Sequence, residues 1–129
     1  MPRLNFVSFE SPAGPWRLWT WTPSPDLTHA VMSLWATDAA TTEFRERIVP
    51  RETVELMVNL AGPQFVRSPL DGAESVFRRA WVSGLQQSCL DIRSPSPPRL
   101  IAASLHASRA AALLGVSGKE ITSQVVELS

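Results

Sequence analysis

The sequence predicts a mainly β protein, a barrel or jelly roll followed by a short C-terminal helical pair (α+β). Eleven prolines and six glycines interrupt the chain at short intervals, which favours many short strands over a few long helices. Strand-like segments come first and helix-like segments come last, an order typical of a sheet with helices packed at one end. The chain has 129 residues, 44% of them hydrophobic, which is enough for one buried core. We therefore expect residues 1–129 to be a single domain.

The first third of the chain predicts a lead-in, an aromatic strand and a turn. We expect residues 1–15 to be loosely ordered, because 11–15 combine serine, glycine and two prolines. Residues 16–21 (WRLWTW) are rich in aromatic side chains and predict a strand, which Pro23 ends. Residues 25–35 match a helical face, but their last seven residues also alternate like a strand. We expect a short helical turn that continues into a strand.

The middle of the chain predicts a series of strands separated by turn residues. The clearest strand is 54–60, in which Val54, Leu56, Val58 and Leu60 share one face. Gly and Pro at 62–63 end it. Four further strands are predicted, with Gly84 as a bend between the second and the third: residues 64–67, 76–83, 85–93 and 100–105.

The last quarter of the chain predicts two short helices. Alanines and leucines recur at helical spacing over 107–114, and Gly115 follows as a C-cap residue. Residues 117–120 (SGKE) form a capping box for the second helix. Residues 109–121 also match a helix-turn-helix, although its second helix would offer no arginine to DNA. The alternating tail 121–128 could bury its apolar side against a partner or against its own barrel.

Composition excludes several classes of protein. Twelve basic and twelve acidic side chains give no net charge, which argues against a free-standing nucleic-acid binder. No apolar run reaches the roughly 20 residues of a membrane span, and the N-terminal residues lack the apolar core of a signal peptide. We therefore expect a cytoplasmic protein without a membrane partner. Cys89, the single cysteine, is expected to be an ordinary reduced thiol.

The sequence contains no pattern that indicates an enzyme. The small β-barrels called cupins typically bind a metal through two or three His and one Glu, but His29 and His106 stand alone here. A Gly-x-Ser-x-Gly motif and a glycine-rich phosphate loop are both missing. The acid pair Glu52 and Glu55 is expected on a turn and a solvent-exposed face. We expect no catalytic residues, no metal and no cofactor.

Tryptophan is unusually frequent, with five in a chain that has no tyrosine. Large aromatic side chains commonly fill small β cores, but they can also line an apolar cavity for a small ligand. A hollow barrel would also need polar groups to orient that ligand. The candidate ligand-binding residues are the four tryptophans on predicted strands and two polar neighbours: Trp19, Trp21, Trp35, Trp81, Arg78 and Gln86. The alternative is a barrel that side chains fill completely.

Several segments, taken in order, resemble the N-terminal sensor domain of AraC-family transcription regulators. The resemblance covers roughly residues 23–129, and its order and spacing are more specific than any one motif. It departs from the family at Arg51-Glu52, where Asp-Gly is usual, and at 105–109, where an Arg-Phe-x-Pro-Gly-Gly-like segment is usual. The matching segments are 23–27 with Val31 and Trp35, 48–50 leading into 54–60, 80–86, 111–117, and 120–122 with Leu128.

The resemblance implies a cupin-like barrel that binds a small-molecule effector, forms homodimers and regulates transcription. DNA would be bound only through a C-terminal helix-turn-helix module, which is missing from this chain. In this family the Gly-Val-Ser tail belongs to the sensor domain, which argues against DNA binding by residues 109–121. The alternative function, from a different class, is a small cupin-like metal-dependent enzyme.

Overall fold

The described strands form two antiparallel sheets that face each other. The structure is a computed structural model, and it describes residues 4–11, 14–40, 44–68, 71–115, 117, 119 and 122–128. The strands are β1 (Leu4–Ser11), β2 (Gly14–Trp21), β3 (Val31–Ala39), β4 (Phe44–Ile48), β5 (Thr53–Asn59), β6 (Gln64–Arg67), β7 (Glu74–Phe77), β8 (Ala80–Ser83), β9 (Leu90–Ser94), β10 (Arg99–His106) and β11 (Val125–Glu127). The helix α1 (Ala107–Leu114) follows β10 directly.

The larger sheet has the strand order β1-β2-β3-β10-β5-β8-β11, and the smaller sheet has the order β4-β9-β6-β7. Because successive side chains of a strand point to opposite faces, each strand contributes alternate residues to the space between the sheets. The main core lies there and includes Met57, Val66, Trp81 and Ile92. This arrangement confirms the predicted mainly β fold of barrel or jelly-roll type.

A second apolar cluster lies on the opposite, outer face of the larger sheet, where α1 packs. Ala110 of the helix is completely buried against Val54, Val82 and Leu105. The helix ends at Gly115, which has the left-handed φ of 70° that favours glycine, and the Gly115 N–H donates to the Ala111 carbonyl. The first helix of the predicted pair is therefore confirmed. The second falls largely on 116, 118, 120 and 121, which lie outside the described residues.

The structure corrects four sequence-based expectations about the strands. The expected lead-in is wrong for Leu4–Ser11, which pair with β2 along their whole length. Phe44–Ile48 form a strand that the sequence analysis did not predict. The predicted strand 76–83 is two strands, because the chain passes from the smaller to the larger sheet at Arg78 and Arg79. Residues 85–89 are irregular, so the predicted strand 85–93 begins only at Leu90.

Other expectations agree with the structure. Residues 25–30 form a hydrogen-bonded turn that continues into β3, with the Val31 N–H donating to the Leu27 carbonyl. The tail pairs with its own barrel, since β11 lies beside β8 and the Leu128 N–H donates to the Ala80 carbonyl. Of the two alternatives for this tail, the structure therefore shows the intramolecular one.

Candidate functional site: a cavity between the sheets

A cavity of about 450 Å³ lies between the two sheets. This volume falls within the range of small-molecule sites, roughly 300–1,000 Å³. Its wall is mainly apolar and includes Trp16, Trp35, Met57, Trp81 and Ile92, of which Trp81 is almost fully buried at 1% exposure. The barrel is therefore partly hollow, in contrast to the alternative in which side chains fill it.

Strand alternation divides the tryptophans between the two faces of the larger sheet. Trp35 and Trp81 line the cavity, as the ligand hypothesis requires. Trp19 and Trp21 are not part of the cavity wall, because β2 directs Trp16, Leu18 and Thr20 inward and the residues between them outward. Trp19 instead lies against Phe6, with 5.3 Å between ring centroids, and Arg17 lies over the Trp19 ring.

Of the two polar candidates, Gln86 lies in the cavity wall and Arg78 does not. Gln86 lines the cavity, but its side-chain amide is occupied: Nε2 lies 2.9 Å from the Gln124 carbonyl and 3.2 Å from that of Gly84. Arg78 lies outside the cavity wall, at the crossing between β7 and β8, where its backbone N–H donates to Glu127 Oε1. Three of the six candidate residues, Trp35, Trp81 and Gln86, are thus brought together around the cavity.

A half-buried carboxylate, Glu55, is the centre of the polar network in the cavity. Ser104 Oγ donates to it at 2.7 Å and Thr53 Oγ1 at 2.9 Å, while Trp35 Nε1 lies 3.4 Å away. Arg51 completes the network with an ion pair at 3.9 Å. The expectation that Glu55 lies on a solvent face is wrong, because β5 turns its apolar residues Val54 and Leu56 outward, towards α1.

Two further polar groups of the wall have no hydrogen-bond partner among the described residues. They are Gln64 Oε1 and Ser94 Oγ, and both side chains belong to nearly inaccessible residues, 3% and 2% exposed. Buried polar groups are nearly always hydrogen-bonded, so two such atoms without partners in one cavity wall are unusual. Sequence analysis missed both, because a glutamine after Gly-Pro and a serine before Pro95 look like ordinary turn residues.

Glu46 is an exposed residue of the wall whose carboxyl group has lost part of its hydration. Burial raises the pKa of its carboxyl group, and nearby Arg51 opposes this only in part. The Glu46 side chain as a whole is exposed, so the loss of hydration at its carboxyl group is partial.

The cavity residues do not fit the metal site of cupin enzymes. Its acids, Glu46 and Glu55, are accompanied by hydroxyl and amide groups rather than by histidines. His106 is directed elsewhere, with Nε2 3.1 Å from the Thr28 carbonyl, and His29 is exposed. Among the residues that the structure describes, no three His, Cys, Asp or Glu side chains are grouped as a metal would require.

Comparison with solved structures places the fold among cupin-type jelly rolls. HEPD from Streptomyces albus, with 2-hydroxyethylphosphonate and Fe(II) bound, is 16% identical with a TM-score of 0.54, over 92% of this chain and 30% of that chain. The Fe(II) form of HppE is 8% identical with a TM-score of 0.54, over 79% and 56%. A variant of oxalate decarboxylase from Bacillus subtilis is 11% identical with a TM-score of 0.52, over 97% and 40%. At these identities the likeness concerns the fold alone, and this chain spans about a third to just over half of each protein.

The chain belongs to the family described as a domain of unknown function, DUF6597, whose pattern matches residues 20–127. No curated protein is similar enough to count as a relative. Within the described part of the chain, no helix is long and apolar enough to cross a membrane.

Proposed function

We propose that this chain is the effector-binding and oligomerisation domain of an AraC-type transcription regulator and is not an enzyme. A small molecule binds between the sheets, and its presence is transmitted to a C-terminal helix-turn-helix module of the regulator, which binds DNA. The observation that carries this proposal is the cavity of about 450 Å³ bordered by Trp35 and Trp81. The order of segments that resembles AraC-type sensor domains supports the same function.

The chemistry of the cavity supports binding rather than catalysis. Glu55 accepts hydrogen bonds from Ser104 and Thr53, which fix its carboxylate as a structural acceptor in the wall. The apolar wall would supply most of the binding energy, because burying a ligand's apolar surface contributes roughly 25 cal/mol per Å². Such a ligand can act as an effector only if it binds one arrangement of the domain better than another.

An apolar row on the outer face of the larger sheet supports the oligomerisation role, with a second copy of the chain as partner. The row crosses neighbouring strands in register: Phe6, Trp19, Ala36, Ile101, Val58 and Ala80. Phe6, Ile101 and Val58 are 53%, 45% and 43% exposed. The Arg17–Asp38 ion pair borders the row, so an apolar centre has a charged rim, the usual anatomy of a protein interface.

A thermal-shift screen of small metabolites against the 129-residue chain tests ligand binding. We expect some compounds to raise the melting temperature, because a ligand that binds only the folded state stabilises it. Thr20→Trp places a bulky ring in the cavity and should abolish these shifts, whereas Thr22→Trp, at an exposed position outside the wall, should keep them. Shifts of equal size in both variants would show that the compounds bind elsewhere.

Binding of DNA by the chain alone would contradict the proposal. We expect no operator-specific complex of these 129 residues with duplex DNA in a gel-shift assay, because the chain has no net charge to hold phosphates. Tight, sequence-specific binding would assign recognition to this domain itself.

The second candidate function is a small cupin-like metal-dependent enzyme. The Fe(II)-containing structures of the same fold favour it, whereas the donor set of the cavity does not. Elemental analysis of the purified protein separates the two functions. Iron, zinc or manganese at one equivalent per chain would favour the enzyme, and substoichiometric metal would favour the effector-binding domain.

A further inference from the structure

We propose that the cavity selects an uncharged, largely apolar molecule with a hydroxyl group. This hydroxyl group would form hydrogen bonds with both Gln64 Oε1 and Ser94 Oγ. This inference rests on the proposed function, because it names the class of effector that the same cavity would take. The two side chains are otherwise unexplained: each is almost inaccessible, each faces the cavity, and neither atom has a partner among the described residues.

The two groups are neighbours on adjacent strands. Phe65 of β6 lies opposite Arg93 of β9, and the strands are antiparallel. The ladder ends at this pair, and Gln64 and Ser94 are the next residues of the two strands, on the same face as the Val66–Ile92 pair. Directly paired residues have Cβ atoms about 5 Å apart, so residues just beyond the last pair remain close neighbours. Both atoms are buried in this structure, so a ligand hydroxyl group that contacts them must displace one of the two side chains slightly.

Their chemistry is complementary to a hydroxyl group. Gln64 Oε1 can only accept a hydrogen bond, and Ser94 Oγ can donate one or accept one. A ligand hydroxyl would donate to Gln64 and accept from Ser94, which satisfies both. A buried polar atom without a partner is costly, so the folded protein favours a ligand that supplies one.

The charged groups of the wall favour an uncharged ligand. Glu55 already accepts hydrogen bonds from Ser104 and Thr53 and forms an ion pair with Arg51. A ligand cation would compete with these partners for Glu55. A ligand anion would meet two carboxylates of the wall, Glu46 and Glu55, against one arginine, Arg51, that already pairs with Glu55. A charged ligand would also lose its hydration in a mainly apolar space.

The apolar wall favours an aromatic body. Trp35 presents a half-buried ring to the cavity, and the buried side chains of Trp81, Met57 and Ile92, which are 1%, 6% and 8% exposed, complete the apolar wall. Aromatic rings gain contact area and favourable ring geometry from such neighbours. The simplest probe of this class is a substituted phenol.

Four probes of nearly equal shape test the inference by NMR titration of the folded chain. They are 4-ethylphenol, 4-ethyltoluene, 4-ethylbenzoate and 4-ethylbenzylammonium. We expect 4-ethylphenol to bind about two- to tenfold more tightly than 4-ethyltoluene, the range that one net hydrogen bond supplies. Both ions should bind more weakly than 4-ethylphenol. This comparison needs no variant, so it stands even if a substitution in the wall prevents folding.

Gln64→Leu tests whether Gln64 causes the preference for 4-ethylphenol over 4-ethyltoluene. This substitution should reduce the preference for 4-ethylphenol over 4-ethyltoluene to near unity without weakening 4-ethyltoluene. Gln87→Leu makes the same chemical change at an exposed position outside the wall and should leave both affinities unchanged.

Three results would overturn the inference. If 4-ethyltoluene binds as tightly as 4-ethylphenol, the cavity remains a ligand site but the Gln64–Ser94 pair is not its recognition element. If either ion binds more tightly than 4-ethylphenol, the effector is charged. If no probe gives saturable shifts of cavity-lining amides, this inference fails, and the metabolite screen with Thr20→Trp then decides the proposed function separately.

Discussion

Glu55 is the residue whose environment differs most from its expected one. Its side chain is 12% exposed and accepts hydrogen bonds from Ser104 and Thr53, with the Trp35 indole N–H at 3.4 Å. Ser104 and Thr53 would lose this acceptor if the carboxylate were removed, whereas the Trp35 indole N–H also lies 3.3 Å from Ser104 Oγ. Networks of this kind stabilise a fold only while every member is satisfied.

We predict that Glu55→Leu lowers the free energy of unfolding by about 1–3 kcal/mol, the usual penalty for leaving buried donors unpaired. The measurement is urea denaturation at neutral pH. Glu52→Leu, an exposed neighbour on the same segment, is the control and should change stability by less than about 0.5 kcal/mol. Equal effects of the two substitutions would contradict the structural role of Glu55.

Glu46 gives a prediction about pH. Burial raises the pKa of this carboxyl group in the folded state above its ordinary value of 4.5, so the folded state binds the proton more readily than the unfolded state. Stability from this group is therefore fully present below pH 4.5 and is lost as the pH rises through the folded-state pKa.

Glu46→Gln tests the predicted direction of this change in stability with pH. We expect the variant to be more stable than the wild type at pH 7, with a difference that shrinks as the pH approaches 4. Urea denaturation at several pH values gives the free energy of unfolding of both proteins. The effects of the other titrating groups cancel in the difference between the two values. A variant that is less stable at pH 7 would show that ionised Glu46 has a favourable partner.

The tryptophans show how far sequence alone can predict the site. The strand predicted over 16–21 from its aromatic side chains is confirmed, but the sequence does not reveal which of its two faces is inward. Trp16 and Trp35 are in the wall, whereas Trp19 and Trp21 are on the outer face, and only the strands beyond β2 decide this. Gln64 and Ser94 could not have been found, because their significance depends on the lack of a partner in three dimensions.

At the level of elements, β5 also shows that the sequence predicts a strand without identifying its inward face. The strand was predictable, since Val54, Leu56 and Val58 alternate with other residues. Their apolar face would ordinarily be assigned to the barrel interior, but it packs partly under α1 instead. The cavity receives Thr53, Glu55 and Met57. A sheet with apolar contacts on both faces does not identify its inner face by hydrophobicity.

The edge strand β1 was missed for a related reason. The side chains of residues 4–10 are exposed, Leu4 and Phe6 at 54% and 53%, so the apolar residues of this segment do not form a buried face. Pairing with β2 and ring contacts such as Phe9 with Trp16, 6.2 Å apart, hold it in place. Those contacts are tertiary and leave little trace in the local sequence.

The end of α1 gives a prediction at the same scale. Gly115 has a φ of 70°, and no heavy atom lies within 4 Å of where a Cβ would be, so backbone strain alone opposes a side chain. We expect Gly115→Ala to lower the free energy of unfolding by about 1 kcal/mol. Gly115→Asn should cost less, because asparagine tolerates this conformation. Thermal denaturation measures both, and equal losses would contradict the conformational explanation.

At the level of the whole molecule, the apolar row across the larger sheet leads to a prediction about assembly. The proposed homodimer would bury Ile101 and Val58, which are otherwise 45% and 43% exposed. A lysine at the centre of such an interface would have to lose its hydration.

We therefore expect the wild-type chain to be a dimer by light scattering and Ile101→Lys to be a monomer at the same concentration. Leu27→Lys is the matched control, because Leu27 is also 45% exposed but lies on the 25–30 turn, away from the row. A wild-type monomer at high concentration would exclude the homodimer for this chain, and a dimer in both variants would place the interface elsewhere.

The position of α1 has one more consequence. Strands β5 and β10 separate the helix from the cavity, and this partition is a single layer of polypeptide. Glu55 and Ser104 face the chamber, while Val54 and Leu105, their immediate neighbours in the chain, contact Ala110 on the other side. Ala110 has no exposed surface, so the helix packs directly on these strands at this point. A ligand that displaces β5 or β10 would therefore also displace the surface on which α1 packs, and no loop lies between the two.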